Sequence, residues 1–413
     1  LAFLDDRGVL SEVIACRDCG AFQTAPRRSA QALVTCFHCD SQLERRTGRR
    51  ISAALALAAT TFLLLIPANL LPFLSTTVLG ASRQSYLVSS FTAMWRLDWP
   101  LLAIIIGLFV VVFPLIRFGL LTVVLSLVCL GRRPPWLGVM FRWSNRLQPW
   151  AMPDVFLLGL WVAYARLSAT VTTILEPGAL CFIGAGLAAL FTRAVLDKAA
   201  VWRAIEPQTA VSPARPEAFC VSCPSCDLVI ACDEGERCPR CAARLSARVP
   251  GALPISVALT LAGLIFYLPA NIYPIATIPI GLKPTGYTVL GGVLDLLQAR
   301  LFGLALLVFA ASFAIPFIKL IGLSWCIASV LIRSRRWLPA KTKTFRVIEE
   351  IGRWSMVDPF VIAVFVPVTQ FNAAISSSAD EAAPFFTLVV VLTIIAAQAF
   401  DPRLMWDAAR SQT

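Results

Sequence analysis

Pro67-Ala-Asn69-Leu-Leu-Pro72 returns as Pro269-Ala-Asn271-Ile-Tyr-Pro274, 202 residues further on, each time at the end of a long apolar run. The surroundings of this pair repeat as well. Before it stand two Cys-x-x-Cys knuckles, Cys16 to Cys19 and Cys36 to Cys39, answered by Cys223 to Cys226 and Cys238 to Cys241. After it come Pro114-Leu-Ile-Arg117 and Trp150-Ala-Met-Pro-Asp154-Val-Phe156, answered by Pro316-Phe-Ile-Lys319 and Trp354-Ser-Met-Val-Asp358-Pro-Phe360. The offset stays near 202 for most landmarks and reaches 204 at the last, so a whole domain is duplicated.

Composition excludes an ordinary soluble enzyme. With 58% hydrophobic and 15% charged residues, the chain is too apolar to cover a water-facing surface; the mean hydropathy is +0.76. A membrane span needs ~20 mostly apolar residues, and windows of that kind lie at 51–74, 100–130, 153–175 and 178–197, then at 252–274, 300–332, 357–376 and 384–400. The predicted fold is a polytopic all-α membrane protein with two tandem four-helix transmembrane domains, each preceded by a small rubredoxin-like or zinc-ribbon tetracysteine domain. The predicted bounds are 11–48 and 216–248 for the metal ribbons, and 49–205 and 250–408 for the membrane domains. Asp5, Asp6 and Arg7 open the chain in place of the apolar core of a cleavable signal.

Lys and Arg are retained on the cytoplasmic side of membrane proteins. Arg45, Arg46, Arg49 and Arg50 precede the first window, and Arg132, Arg133, Arg142 and Arg146 lie between the second and third. The equivalent link in the second half carries Arg333, Arg335, Arg336, Lys341, Lys343 and Arg346. Both cysteine modules and both termini are therefore expected in the cytoplasm. The net charge of +12 reads as positive-inside bias and attraction to anionic lipid, not nucleic-acid binding, because the basic residues sit beside spans.

In a reducing compartment, paired Cys-x-x-Cys knuckles read as tetrahedral thiolate sites, and a disulfide reading is disfavoured. The predicted ligands are Cys16, Cys19, Cys36 and Cys39, then Cys223, Cys226, Cys238 and Cys241. Zinc is the default ion. Iron stays open, because Cys238-Pro-Arg-Cys241 also resembles a rubredoxin knuckle. Four thiolates leave no open position, which favours a structural role. Cys220 and Cys232 are then spare thiols, and His38 is expected to turn outward from its knuckle. Cys129, Cys181 and Cys326 read as small packing residues.

A charge at the centre of a spanning helix costs ~2.5–3.5 kcal/mol on insertion scales, so it usually faces a cavity or a partner. Lys319 is such a charge, with Ser312 on its helical face. Asp358 opens the next window with Ser355 beside it, and Thr393 adds a hydroxyl from the last. One interior site would satisfy all five. Arg117 and Asp154 are the first-half counterparts, but Val110 and Ala151 replace the two serines, so the second half is expected to carry the working site. Two blander readings stand beside it: a static Lys319–Asp358 ion pair, or a lysine that snorkels to headgroups.

Pro67, Pro72, Pro269 and Pro274 should kink or end their helices, with Asn69 and Asn271 bonding the freed carbonyls. Pro114 and Pro316 should place a second bend one turn before Arg117 and Lys319. No phosphate loop, nucleophile elbow, zinc-protease helix or kinase signature appears, and no catalytic residue is assigned. The coupling machinery visible in the sequence is a buried lysine and a carboxylate, which suit a proton gradient.

Tyr267-Leu-Pro-Ala-Asn-Ile-Tyr-Pro274, Gly352-Arg-Trp-Ser-Met-Val-Asp358 and Phe400-Asp-Pro-Arg-Leu-Met-Trp-Asp407, with the paired cysteine modules, resemble the paraquat-inducible protein A family, including its lipophilic envelope-spanning tunnel branch. The resemblance covers nearly the whole chain. It implies an inner-membrane protein of Gram-negative bacteria, a periplasmic MCE-domain partner and phospholipid as cargo. It also makes Lys319, Asp358, Ser312, Ser355 and Thr393 the transport site. The competing expectations are a metal- or redox-responsive membrane protein and a passive anchor for a periplasmic partner.

Overall fold

The computed structural model describes residues 2–4, 10–26, 32–46, 48–78, 81–96, 100–168, 172–205, 220–231, 235–274, 276–280, 283–298, 300, 302–369, 378–379 and 382–410. Six helices among them are long and apolar enough to cross a membrane: Ile51–Leu70, Leu102–Cys129 and Pro177–Val195, then Ala252–Ile272, Ala305–Leu331 and Ala382–Ala399. Only 22% to 56% of each is buried in the protein, so much of their apolar surface faces outward, as lipid contact requires. Hydrocarbon cannot bond to backbone, so each span satisfies its own. Thr60, Thr61, Thr122, Ser126, Thr192, Ser256 and Thr260 do the same with their hydroxyls, bonding the carbonyl four residues back at 2.7–2.9 Å.

The first span of each half ends because of proline. Leu71 and Tyr273 are extended, as the residue before a proline must be, and Pro72 and Pro274 follow them. Pro67 and Pro269 stay inside their helices. Asn69 donates to the Leu65 carbonyl at 2.7 Å and Asn271 to the Tyr267 carbonyl at 2.8 Å. These acceptors lie one turn behind each asparagine itself, not one turn behind the prolines, because a short amide reaches only down its own helix. Ahead of Pro114 and Pro316 the backbone widens into π-helical turns, Gly107–Val112 and Ala310–Ala314.

Strands absent from the sequence reading cap the spans. Leu74–Val78 pairs with Ala81–Ser85 on one side and Thr172–Leu175 on the other, Leu74 standing opposite both Ser85 and Leu175. The second half repeats this with Ala276–Ile280 between Lys283–Tyr287 and Ser378–Ala379. The chain thus has a sheet side and, at the opposite ends of the spans, a module side.

The windows 153–175 and 357–376 differ from expectation. They fold as shorter helices, Pro153–Ser168 and Val357–Thr369; the first window runs on into a strand, and residues 370–376 of the second lie outside the described residues. Sixteen residues make ~24 Å of helix, less than a bilayer core of ~30 Å. These two helices can be short because they pack on one another at the centre of the molecule. A Cβ on Gly159 would stand 3.0 Å from that of Phe360. The Phe156 ring meets Phe360 at 5.5 Å, Phe182 at 4.9 Å and Phe73 at 6.2 Å.

The cysteine modules dock crosswise. The first packs on the second half: its four cysteines share a buried cluster with Trp406, and Leu338 flanks them. Arg346 pairs with Asp18 at 3.0 Å and donates to the Cys39 carbonyl at 3.0 Å. The second module joins the core of the first half, where Cys238 and Cys241 belong with Leu137, Phe141 and Trp202. Arg17 pairs with Asp227 between the modules, Arg203 with Glu44, and Arg248 with Asp407 at 2.6 Å.

Gly138 carries the second of these contacts, because a Cβ there would stand 1.9 Å from the Arg240 carbonyl oxygen. Gly138→Val is expected to lift the second module and cost ~1–3 kcal/mol of overpacking strain. A lowered melting temperature with faster proteolysis inside 216–248 checks this; an unchanged melt would contradict the docking.

Candidate functional site

Each knuckle is shaped by its backbone. The residue after the second cysteine takes a left-handed φ: +74° at Gly20, +55° at Asp40, +56° at Asp227 and +54° at Ala242. Its amide then bonds back to the first cysteine's carbonyl at 2.8–3.1 Å. This turn aims both sulfurs at one point. Cys16–Cys39 and Cys19–Cys36 stand 3.6 Å apart, Cys223–Cys241 3.5 Å and Cys226–Cys238 3.6 Å. A tetrahedron with ~2.3 Å metal–sulfur bonds has edges of about 3.8 Å, so both buried groups fit a zinc-sized ion held by four sulfurs. His38 is exposed and rests on Trp406 at 4.5 Å. Cys232 lies outside the described residues.

In the second half, Lys319 is 2% exposed and donates to Thr393 Oγ1 at 2.8 Å and to the Gly352 carbonyl at 3.4 Å. Ser355 Oγ donates to that same carbonyl at 2.7 Å, and Thr393 passes its own proton to the Val390 carbonyl at 2.9 Å. Ser312, fully buried in the π-helical turn, has no hydrogen-bond partner among the described residues. Asp358 sits half-buried in the first turn of the Val357–Thr369 helix, where a carboxylate suits the helix dipole. It makes no ion pair with Lys319, whose contacts are those just given.

Gly352 was not singled out from the sequence, though it opens the Gly-Arg-Trp-Ser stretch. A Cβ there would stand 3.1 Å from Lys319 Cε and 3.3 Å from Nζ, so the lysine lies against bare backbone.

The first half is arranged differently. Arg117 is 3% exposed, its guanidinium 4.8 Å from the Phe118 ring. Asp154 pairs with Arg193 at 2.8 Å and not with Arg117, and Arg193 reaches Glu350 of the second half at 3.5 Å. Val110 and Ala151, which replace the serines, are buried. Nearby lies an apolar cavity of about 290 Å³ lined by Leu87, Val88, Phe91, Ile104, Gly107 and Phe156. The widened π-helical turn beside it was not legible in the sequence.

The sequence profile of the Paraquat-inducible protein A family matches residues 51–206 and 253–410, and the chain belongs to that family. It is 30% identical over 403 residues to Intermembrane transport protein PqiA of Escherichia coli strain K12, covering 95% of each chain. It is 29% identical to Lipophilic envelope-spanning tunnel protein A of the same strain, over 96% of this chain and 91% of that one. A Probable intermembrane transport protein of Haemophilus influenzae is 25% identical over 96% of both. No solved structure matches.

Two full tetracysteine sites imply two metal ions per chain. Cys39→Ser is expected to reduce the metal content to one ion per chain and, through the contacts of Cys39 and Asp18 with Arg346, to lower the melting temperature. Elemental analysis of the purified variant checks this; two retained ions would contradict the assignment.

Proposed function

We propose that this chain is a lipid-transfer component of the bacterial inner membrane, passing phospholipid to or from a periplasmic MCE-domain tunnel through a polar cleft in its second half. The observation that carries the reading is the state of Lys319. An ammonium has three donors, and among the described residues only two of those on Lys319 meet protein acceptors. The third is left for a ligand, and two turns back on the same helical face Ser312 has no hydrogen-bond partner among the described residues. A buried cation with a spare donor suits a lipid phosphate. The relatives' names, intermembrane transport protein and envelope-spanning tunnel protein, support traffic between membranes.

In this reading the basic module side faces the cytoplasm and the sheet side faces the periplasmic partner. The tetracysteine sites hold zinc as structural ions, each with a closed set of four buried sulfurs. A protonated Lys319 holds the phosphate, Thr393 and Gly352 orient its ammonium, and loss of the proton weakens that grip and releases the lipid. Asp358 is the carboxylate through which protons exchange at the entry to the short helix. A redox role for the cysteines is less well supported, because four buried sulfurs around one ion offer no open position.

Lys319→Ala and Asp358→Ala are each expected to abolish envelope barrier function against detergent in cells, with membrane abundance unchanged. Thr393→Val leaves the lysine short of its 2.8 Å bond, which is expected to cost ~1–3 kcal/mol of stability and part of the function. Normal barrier function in both alanine variants would overturn the proposal.

A further inference from the structure

Four cations lie on elements that touch where the two halves meet: the helix of Arg117 packs on that of Lys198, and the helix of Asp154, which Arg193 holds, packs on the turn of Arg353. Arg117 comes from the Leu102–Cys129 span, Arg193 from the end of Pro177–Val195, Lys198 from the helix after it and Arg353 from the turn before Val357. Arg193 and Arg353 have carboxylate partners: Asp154 and Glu350 for the first, Glu350 for the second. Arg117 has none. It is 3% exposed, yet its guanidinium makes no hydrogen bond or ion pair among the described residues. It feels Arg193 and Arg353 as neighbouring like charges, with Asp154 the carboxylate in range.

Lys198, exposed at the start of its helix, is likewise without a hydrogen bond or ion pair among the described residues. Desolvation by the surrounding protein, then the positive fields of Arg17, Arg117 and Arg193, lower the pKa of its ammonium, with Asp227 acting the other way. Asp227 is itself engaged by Arg17. Burial and the field of Arg193 also push the Arg353 guanidinium down, against the pull of Glu350, Asp154 and Glu349. Four cations thus face mainly two carboxylates, Asp154 and Glu350. A buried guanidinium with no partner costs several kcal/mol unless an anion meets it. The cluster is open to one, because Glu350 at its rim is 71% exposed.

We infer that Arg117, Arg193, Lys198 and Arg353 form a phosphate-binding site between the two halves. Arginine's planar fork suits phosphate oxygens, and a lysine adds a mobile point charge. The ligand is a phosphate group, carried by a phospholipid headgroup or free in solution. The site is separate from Lys319 and does not rest on the route proposed for the second half.

The test is calorimetric titration of the purified full chain in neutral detergent, with dihexanoyl-phosphatidylglycerol, with inorganic phosphate, and with dihexanoylglycerol as the phosphate-free control. At least one phosphate-bearing probe is expected to bind, at least tenfold more weakly to Arg117→Gln and at least threefold more weakly to Lys198→Gln. Glu350→Gln, which removes a competing carboxylate from an exposed position, is expected to tighten binding at least threefold, a gain that a purely structural cluster would not produce. Binding of the lipid alone identifies a headgroup as the source, and binding of both probes identifies the phosphate itself. Circular dichroism melts guard the fold; if Arg117→Gln does not fold, Lys198→Gln and Glu350→Gln decide. Equal binding of dihexanoylglycerol, no binding of either phosphate probe, or wild-type affinity in the folded variants would overturn the inference.

Discussion

Charge under an apolar layer has to be matched locally, because neither water nor lipid tails will match it. The duplicated chain places one cation at the same point of each half and meets this demand in two ways. Lys319 is held by a hydroxyl from the last span and by the bare carbonyl of Gly352. Arg117 finds no acceptor among the described residues, and Asp154, the carboxylate whose field reaches it, is already taken by Arg193. The same ancestral position has become a hydrogen-bonded lysine on one side and an unmatched arginine on the other. Lysine can lose its proton when buried whereas arginine keeps its own, so the two halves are suited to different work.

The crossed modules bind these halves together. A module that sits on its own spans would stabilise one half; docking on the other makes each tetracysteine site a bond between halves. Arg346 ties the Cys39 knuckle to the second half, while the Arg240 backbone presses on Gly138 of the first. Metal binding contributes folding energy in small modules of this kind. The central helices add a second join between the halves, where Gly159 meets Phe360. Rigid halves held at a set angle suit a protein in which the ion pairs of Asp154, Arg193, Glu350 and Arg353 cross the seam.

Much of this was legible in the sequence because it depends on residue type and spacing. The knuckles, the prolines that end the first spans and the intramembrane charges are local signals. The sheets were not legible: Leu74–Val78 and Ala81–Ser85 are short and largely polar, with no alternation to mark a buried face. The short central helices looked like full spans, since hydropathy cannot distinguish helix burial in protein from burial in lipid. Crossed docking is a tertiary choice with no signature in either partner alone. Gly352 escaped notice because its role is an absent side chain. The pairing of Asp154 with Arg193 was not legible either, as Arg193 lies at the end of a span where an arginine ordinarily meets solvent or headgroups.

The measurement that bears most directly on the second-half site is photo-crosslinking in living cells. Probes would stand at Ile315 and Ile362, one helical turn from Lys319 and Asp358, and captured phospholipid would be scored with and without Lys319→Ala. A polar lipid route predicts capture at both positions and its loss with the substitution. No capture, or equal capture when Lys319 is gone, would contradict it.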